Sequence, residues 1–177
     1  MEANGIVPMA PSAKIAALLV LATVPFVGLL LTIYHLLGIT TVNLGFLFML
    51  YWMGILNQSM KDFVPSLLGG LGGIGMGWVL LGLPVIAGPL ATYGGAAVMA
   101  LIIFFFMRGQ FRFIINNGMM LYLTVVTIAD VGIARKAPEM AAALLVAAAY
   151  CYVATLAMGW FTARRAAAGA QASVAAT

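Results

Sequence analysis

Charged residues are scarce in this sequence. Of its 177 residues, 7% are charged and 65% are hydrophobic, whereas a soluble domain carries roughly 25% charged residues. A surface in contact with water needs more charge than this, but a surface in contact with lipid is stabilised by its absence. The composition therefore excludes an ordinary soluble protein. The net charge of +4 is explained below by membrane topology, and we expect no nucleic-acid partner.

Cysteine, histidine and acidic residues are scarce as well. One Cys excludes an internal disulfide, and together with one His it leaves too few ligands for a metal cluster. The acids Glu2, Asp62, Asp130 and Glu139 are too scattered in the sequence to predict a pair of catalytic carboxylates. No nucleotide-binding loop or nucleophile motif occurs. We therefore expect a protein that is not an enzyme and that has no cofactor and no metal.

Long uncharged runs fill most of the chain. One run of 46 residues lies between Lys14 and Lys61, and another of 45 lies between Asp62 and Arg108. A spanning helix needs about 20 apolar residues, so each run predicts two helices, and Leu83-Pro84 divides the second run. The sequence predicts an all-α polytopic integral membrane protein with six transmembrane helices, near 15–37, 42–60, 63–83, 85–107, 113–132 and 139–161.

The distribution of Lys and Arg predicts the orientation, because these residues remain preferentially in the cytoplasm. If both termini are cytoplasmic, only Arg135 and Lys136 lie outside, and six basic residues lie inside: Lys14, Lys61, Arg108, Arg112, Arg164 and Arg165. We therefore expect a multi-pass protein of a bacterial-type inner membrane with both termini in the cytoplasm. Its parts are a cytoplasmic N-terminal segment at 1–14, a six-helix bundle at 15–165 and a disordered tail of small uncharged residues at 166–177.

Two short segments share the pattern I-[IL]-N-[NQ]-[SG]-M, at 55–60 and at 114–119. In the predicted topology both lie at the cytoplasmic end of a helical hairpin. Amides donate and accept hydrogen bonds without net charge, which suits a polar solute. Alternatively, they only cap helix ends. The substrate-path candidates are Asn57, Gln58, Ser59, Asn116 and Asn117, with Tyr51 and Trp52 as a stacking site or as part of an interfacial aromatic girdle.

Glycines repeat at a spacing of four in the third predicted helix. Gly69, Gly73 and Gly77 occupy one helical face that carries no side chain. In lipid, small residues at this spacing let two helices approach closely. The excess of glycine also suits a locally unwound segment that lines a cavity, as in many transporters. These residues are therefore candidates for helix packing or for a cavity wall.

One His and one Asp lie near the predicted outer ends of helices. His35 ends the first helix and Asp130 lies near the end of the fifth. An ionisable pair inside a bundle could relay protons. Both residues are also close enough to the interface to reach water. A proton-linked role for His35 and Asp130 is the functional interpretation, and solvated helix ends are the structural one.

The sequence as a whole favours transport. A bundle with no extramembrane domain, glycine-rich central helices and clustered amides predicts a channel or carrier for a small polar or weakly charged solute. A bundle of 177 residues has little room for a wide path, so we expect a homo-oligomer in the lipid bilayer. The alternative is a non-catalytic membrane subunit, an assembly or substrate-recognition partner in a larger complex with another membrane subunit.

Overall fold

A computed structural model describes residues 13–128 and 133–175, and every regular element within them is a helix. The all-α prediction is confirmed for this part of the chain. Most of the predicted segment 1–14 and Asp130 lie outside the described residues. The helices are α1 (Ala13–Leu36), α2 (Val42–Ile55), α3 (Met60–Ala87), α4 (Leu90–Met107), α5 (Asn117–Ile128) and α6 (Ile133–Ala175).

Three helical stretches are long and apolar enough to cross a membrane: Met60–Ala87, Leu90–Met107 and Arg135–Ala168. Large apolar side chains on them are exposed, for example Leu101 at 52% and Phe104 at 51%, as expected for surfaces that face lipid. The protein is therefore a helical, membrane-embedded protein. Three further apolar helical stretches are shorter, at Thr23–Leu36, Val42–Ile55 and Asn117–Ile128. The 12 residues of α5 give a length of about 18 Å, against a hydrocarbon core of about 30 Å.

The boundary between α3 and α4 differs from the predicted one. The helix continues through Leu83-Pro84, because a π-helical segment, Trp78–Gly82, precedes the proline and widens the helix where its ring would meet a carbonyl. The break lies instead at Gly88, whose φ of +86° is readily accessible only to glycine. Pro89 follows as the N-cap of α4.

The last two helices also differ from prediction. α5 begins at Asn117 rather than at residue 113, and α6 begins at Ile133 and continues to Ala175. The tail predicted to be disordered at 166–177 is therefore helical over most of its length. Its alanine content explains the difference, because alanine is the strongest helix former and no proline follows Pro138.

By its contacts the chain divides into two units at Gly38. The first contains α1, in which Thr32 Oγ1 donates a hydrogen bond to the Gly28 carbonyl at 2.9 Å. The second unit contains the other helices and has a core of its own. Its fully buried large side chains are Leu44, Phe48, Trp52, Tyr122, Val126, Leu144 and Cys151.

The most extensive packing in the second unit is between α3 and α5. A Cβ atom built on Gly73 would lie 2.5 Å from the Met119 carbonyl oxygen and 2.7 Å from Tyr122 Cβ, so the two backbones meet where no side chain fits. Tyr122 is fully buried and donates a hydrogen bond to the Leu44 carbonyl at 2.8 Å. The glycine face of α3 therefore positions α5, and α5 in turn contacts α2.

Substitution of Gly73 by Ala should destabilise this packing. The new methyl group would meet the backbone of α5, which cannot move aside as a side chain can, and overpacking of this kind costs about 1–3 kcal/mol. The matched control is Gly75→Ala, because a Cβ at Gly75 has nothing within 4 Å. That substitution should be neutral or stabilise the helix by up to about 1 kcal/mol. Thermal unfolding in detergent measures both, and equal midpoints would contradict a close α3–α5 contact.

Candidate functional site

The first amide segment forms the turn between α2 and α3. α2 ends in a π-helical segment, Leu50–Ile55. In the turn that follows, Asn57 and Gln58 have φ values of +49° and +60°. Trp52 holds this turn closed: its carbonyl accepts a hydrogen bond from Gln58 N–H at 3.0 Å, and its indole donates to the Ser59 carbonyl at 3.0 Å. The buried Trp52 therefore anchors a turn whose backbone is left-handed at two residues.

The side chains of this turn act locally. Asn57 is exposed, and its amide donates only to the Ile55 carbonyl, at 3.5 Å. Ser59 Oγ donates to Asp62 Oδ2 at 2.5 Å at the start of α3. Within the described residues, no hydrogen bond joins Asn57 or Gln58 to the second amide segment. Asn57 is also not among the residues that line the cavity next to Asn116.

The second amide segment connects two helices. Asn116 Nδ2 donates a hydrogen bond to the Pro65 carbonyl of α3 at 2.8 Å. Its Oδ1 accepts a hydrogen bond from Met119 N–H at 3.1 Å, which is the geometry of an N-cap at the start of α5. One amide thus fixes the beginning of α5 and binds it to α3.

Two glycines make room for this amide. A Cβ on Gly69 would overlap the Asn116 side chain, and a Cβ on Gly118 would lie 3.0 Å from Asn116 Oδ1 and 3.1 Å from Tyr51 Cε1. Tyr51, from α2, is therefore part of the same cluster. The structure brings together Tyr51 and Asn116, two of the predicted substrate-path candidates, with Gly69, a predicted packing or cavity residue. Pro65 and Gly118 were missed because their contributions are a backbone carbonyl and a missing side chain.

A polar cavity adjoins Asn116, between the end of α4 and the start of α5. Its volume is about 380 Å³. We call it the arginine cavity, since Arg108 and Arg112 supply its charge. Within the described residues, neither guanidinium has a carboxylate in ion-pair range. The residues that line the cavity are Phe106, Met107, Arg108, Gly109, Arg112, Ile115, Asn116 and Asn117.

The α4–α5 connection holds the two arginines in place. The guanidinium of Arg108 lies 5.6 Å from the centre of the Phe104 ring. Arg112 packs over Gly109, where a Cβ would lie 2.8 Å from Arg112 Nη2, and Gly109 has a φ of +63°. The N-terminus of α5, which carries partial positive charge, begins at the cavity wall with Asn117. The site thus combines two cations, two amides and a helix N-terminus.

A second polar contact lies at the start of α2. Glu139 Oε1 accepts hydrogen bonds from Thr40 N–H at 2.5 Å, from Thr40 Oγ1 at 2.7 Å and from Thr41 N–H at 3.0 Å. The carboxylate of α6 therefore binds the chain segment that immediately precedes α2. No local sequence pattern predicts this contact, because the partners of Glu139 lie almost 100 residues away.

The structure gives the positions of two further predicted residues. His35 is exposed in the last turn of α1, Gly77 is buried in α3, and Asp130 lies outside the described residues. No group of three His, Cys, Asp or Glu side chains that could hold a metal occurs in the part of the chain that the structure describes. No protein family, curated protein or solved structure matches the chain.

Substitution of Asn116 by Ala should destabilise the bundle by about 1–3 kcal/mol. The substitution leaves the Met119 N–H without its acceptor and removes the hydrogen bond from the Asn116 side chain to α3. The matched control is Asn117→Ala, which removes a neighbouring exposed amide and should change the free energy of unfolding by at most about 0.5 kcal/mol. Thermal unfolding in detergent compares the two.

A double-mutant cycle tests whether Gly69 is required because it leaves space for the Asn116 side chain. Gly69→Ala should displace the amide and cost stability when Asn116 is present, but much less when Asn116→Ala has already removed it. Additive effects of the two substitutions would mean that Gly69 acts independently of Asn116.

Proposed function

We propose that the chain is a small transport protein, a channel or carrier for a small polar or weakly charged solute, and that it is not an enzyme. The arginine cavity supports this proposal. Its volume of about 380 Å³ falls in the range of about 300–1,000 Å³ that is typical of small-molecule sites. In a chain with 7% charged residues, two arginines and two asparagines around one cavity are a concentration of polar groups.

The helices around the cavity suit this role. Binding sites of transporters are often formed where membrane helices are short or interrupted, and π-helical segments are frequent at functional sites. α5 is short, and both α2 and α3 contain a π-helical segment. We propose six spans in a bacterial-type inner membrane with both termini in the cytoplasm, which places the arginine cavity at the cytoplasmic face.

The functional unit in this proposal is a homo-oligomer, because one bundle of this size offers little room for a continuous path. The alternative is a non-catalytic membrane subunit of a larger complex. The length of α6 favours that alternative: its 43 residues span about 65 Å, roughly twice the hydrocarbon core, and could contact a partner beyond the membrane. A stable homo-oligomer on purification supports transport, and a co-purifying membrane subunit supports the alternative.

Flux through the arginine cavity should be blocked by a bulky side chain at its wall. Asn117→Trp places an indole at an exposed lining position, so the bundle should fold and flux should fall several-fold. The control is Gln110→Trp, an exposed residue of the same connection that does not line the cavity. Liposome flux of small polar solutes, normalised to folded protein, gives the comparison. Equal flux in both variants would show that the solute does not pass through the arginine cavity.

The proposed topology places the α4–α5 connection inside and the start of α6 outside. Single cysteines at the exposed positions Gln110 and Lys136 should therefore react differently with a membrane-impermeant thiol reagent on intact cells. Lys136→Cys should be labelled, and Gln110→Cys should be labelled only after lysis. The native Cys151 is buried and should remain unlabelled in both. Labelling of Gln110→Cys on intact cells would reverse the orientation.

A further inference from the structure

The arginine cavity carries an excess of positive charge. Both lining arginines are without a carboxylate partner in the described residues. The two acids that the structure describes are engaged elsewhere: Asp62 accepts a hydrogen bond from Ser59 Oγ, and Glu139 accepts hydrogen bonds from Thr40 and from the Thr41 backbone. The other polar side chains of the cavity are neutral amides. Both arginines are exposed. Since a cleft lined by charge of one sign concentrates ions of the opposite sign, the cavity is suited to an anionic group.

The donors of the cavity match a tetrahedral oxyanion. A guanidinium presents five N–H donors in a fixed planar fork that matches phosphate in a bidentate manner. The packing of Arg112 over Gly109 and of Arg108 near Phe104 limits the freedom of both forks before a ligand arrives. The two guanidinium forks and the N–H groups at the N-terminus of α5, which carry partial positive charge, supply more hydrogen-bond donors than the two oxygens of a carboxylate can accept.

We infer that the arginine cavity binds a phosphate group, held by Arg108 and Arg112 with Asn117 at its edge. The group could belong to a phosphate ion or ester in the cytoplasm, or to the headgroup of an anionic phospholipid. Basic pockets between membrane helices bind such headgroups. The residues on either side of Arg112 in the sequence, Phe111 and Phe113, are exposed aromatic residues, which are typical of the headgroup level. Only the cytoplasmic placement of the cavity rests on the proposed function.

Binding is measured on the purified full chain in a neutral detergent and in lipid nanodiscs. In detergent, the probe is inorganic phosphate, followed by calorimetry. In nanodiscs, the probe is retained lipid, with phosphatidylglycerol compared to phosphatidylcholine by native mass spectrometry. Saturable phosphate binding identifies a free phosphate as the source, and selective retention of phosphatidylglycerol identifies a lipid headgroup. Either outcome supports the inference.

The deciding variant is Arg112→Gln, with Arg165→Gln as a control that removes an exposed arginine outside the cavity. Arg112→Gln should weaken the observed binding at least about tenfold, equivalent to about 1.4 kcal/mol, and Arg165→Gln should not change it. Arg112→Lys should be intermediate, because it retains the charge but not the fork. Thermal unfolding without ligand should show that all three variants fold.

Equal affinity of Arg112→Gln and Arg165→Gln for both probes would overturn the inference. So would the absence of saturable phosphate binding together with equal retention of phosphatidylglycerol and phosphatidylcholine. These results are independent of the flux experiment. If the native protein shows normal flux of neutral solutes but binds neither phosphate nor phosphatidylglycerol selectively, the phosphate site alone is rejected. If the native protein shows binding but no flux, transport alone is rejected.

Discussion

The hydrogen bonds that α5 makes with α3 and α2 depend on the close approach of α3 and α5. In lipid, the hydrophobic effect does not drive helices together, so packing and hydrogen bonds must hold them. Gly73 allows the α5 backbone to touch α3, and Gly69 leaves space for the Asn116 amide. With the helices at this distance, Asn116 reaches the Pro65 carbonyl and Tyr122 reaches the Leu44 carbonyl. A larger separation would leave these polar groups unpaired in an apolar medium.

The sequence predicted features that depend on composition and local spacing. Scarce charge and long apolar runs predicted an all-α membrane protein, and the four-residue glycine spacing marked the face of α3 that meets α5. Local sequence signals predicted a wrong helix boundary where the backbone accommodates a residue in another way. A π-helical segment accommodates Pro84, so the break moves to Gly88. The contact of Glu139 with Thr40 and Thr41 could not be predicted, because no local pattern relates residues 99 positions apart.

The two amide segments show why similar short sequences need not have similar roles. Asn57 follows a π-helical segment and occupies a left-handed turn position, which asparagine tolerates better than most residues. Asn116 ends a connection of turns and caps the next helix. The backbone that precedes each segment decides where its amide points. A stability loss on substitution of Asn57 would therefore reflect turn geometry, and would give no information about a solute path.

In the proposed topology, the arginines of the α4–α5 connection would satisfy two constraints with one arrangement. Orientation in the membrane requires only positive charge on the cytoplasmic side, which lysine at any nearby position would supply. Packing of Arg112 over a left-handed Gly109 is unnecessary for that purpose but fixes a planar donor. Asn116 lines the same cavity and also bonds α3. A ligand that binds this cavity only in the folded protein would therefore stabilise the fold that contains the α3–α5 contact, by an amount that grows with the logarithm of its affinity. Occupancy of the site would in this way be coupled to the contact that builds it.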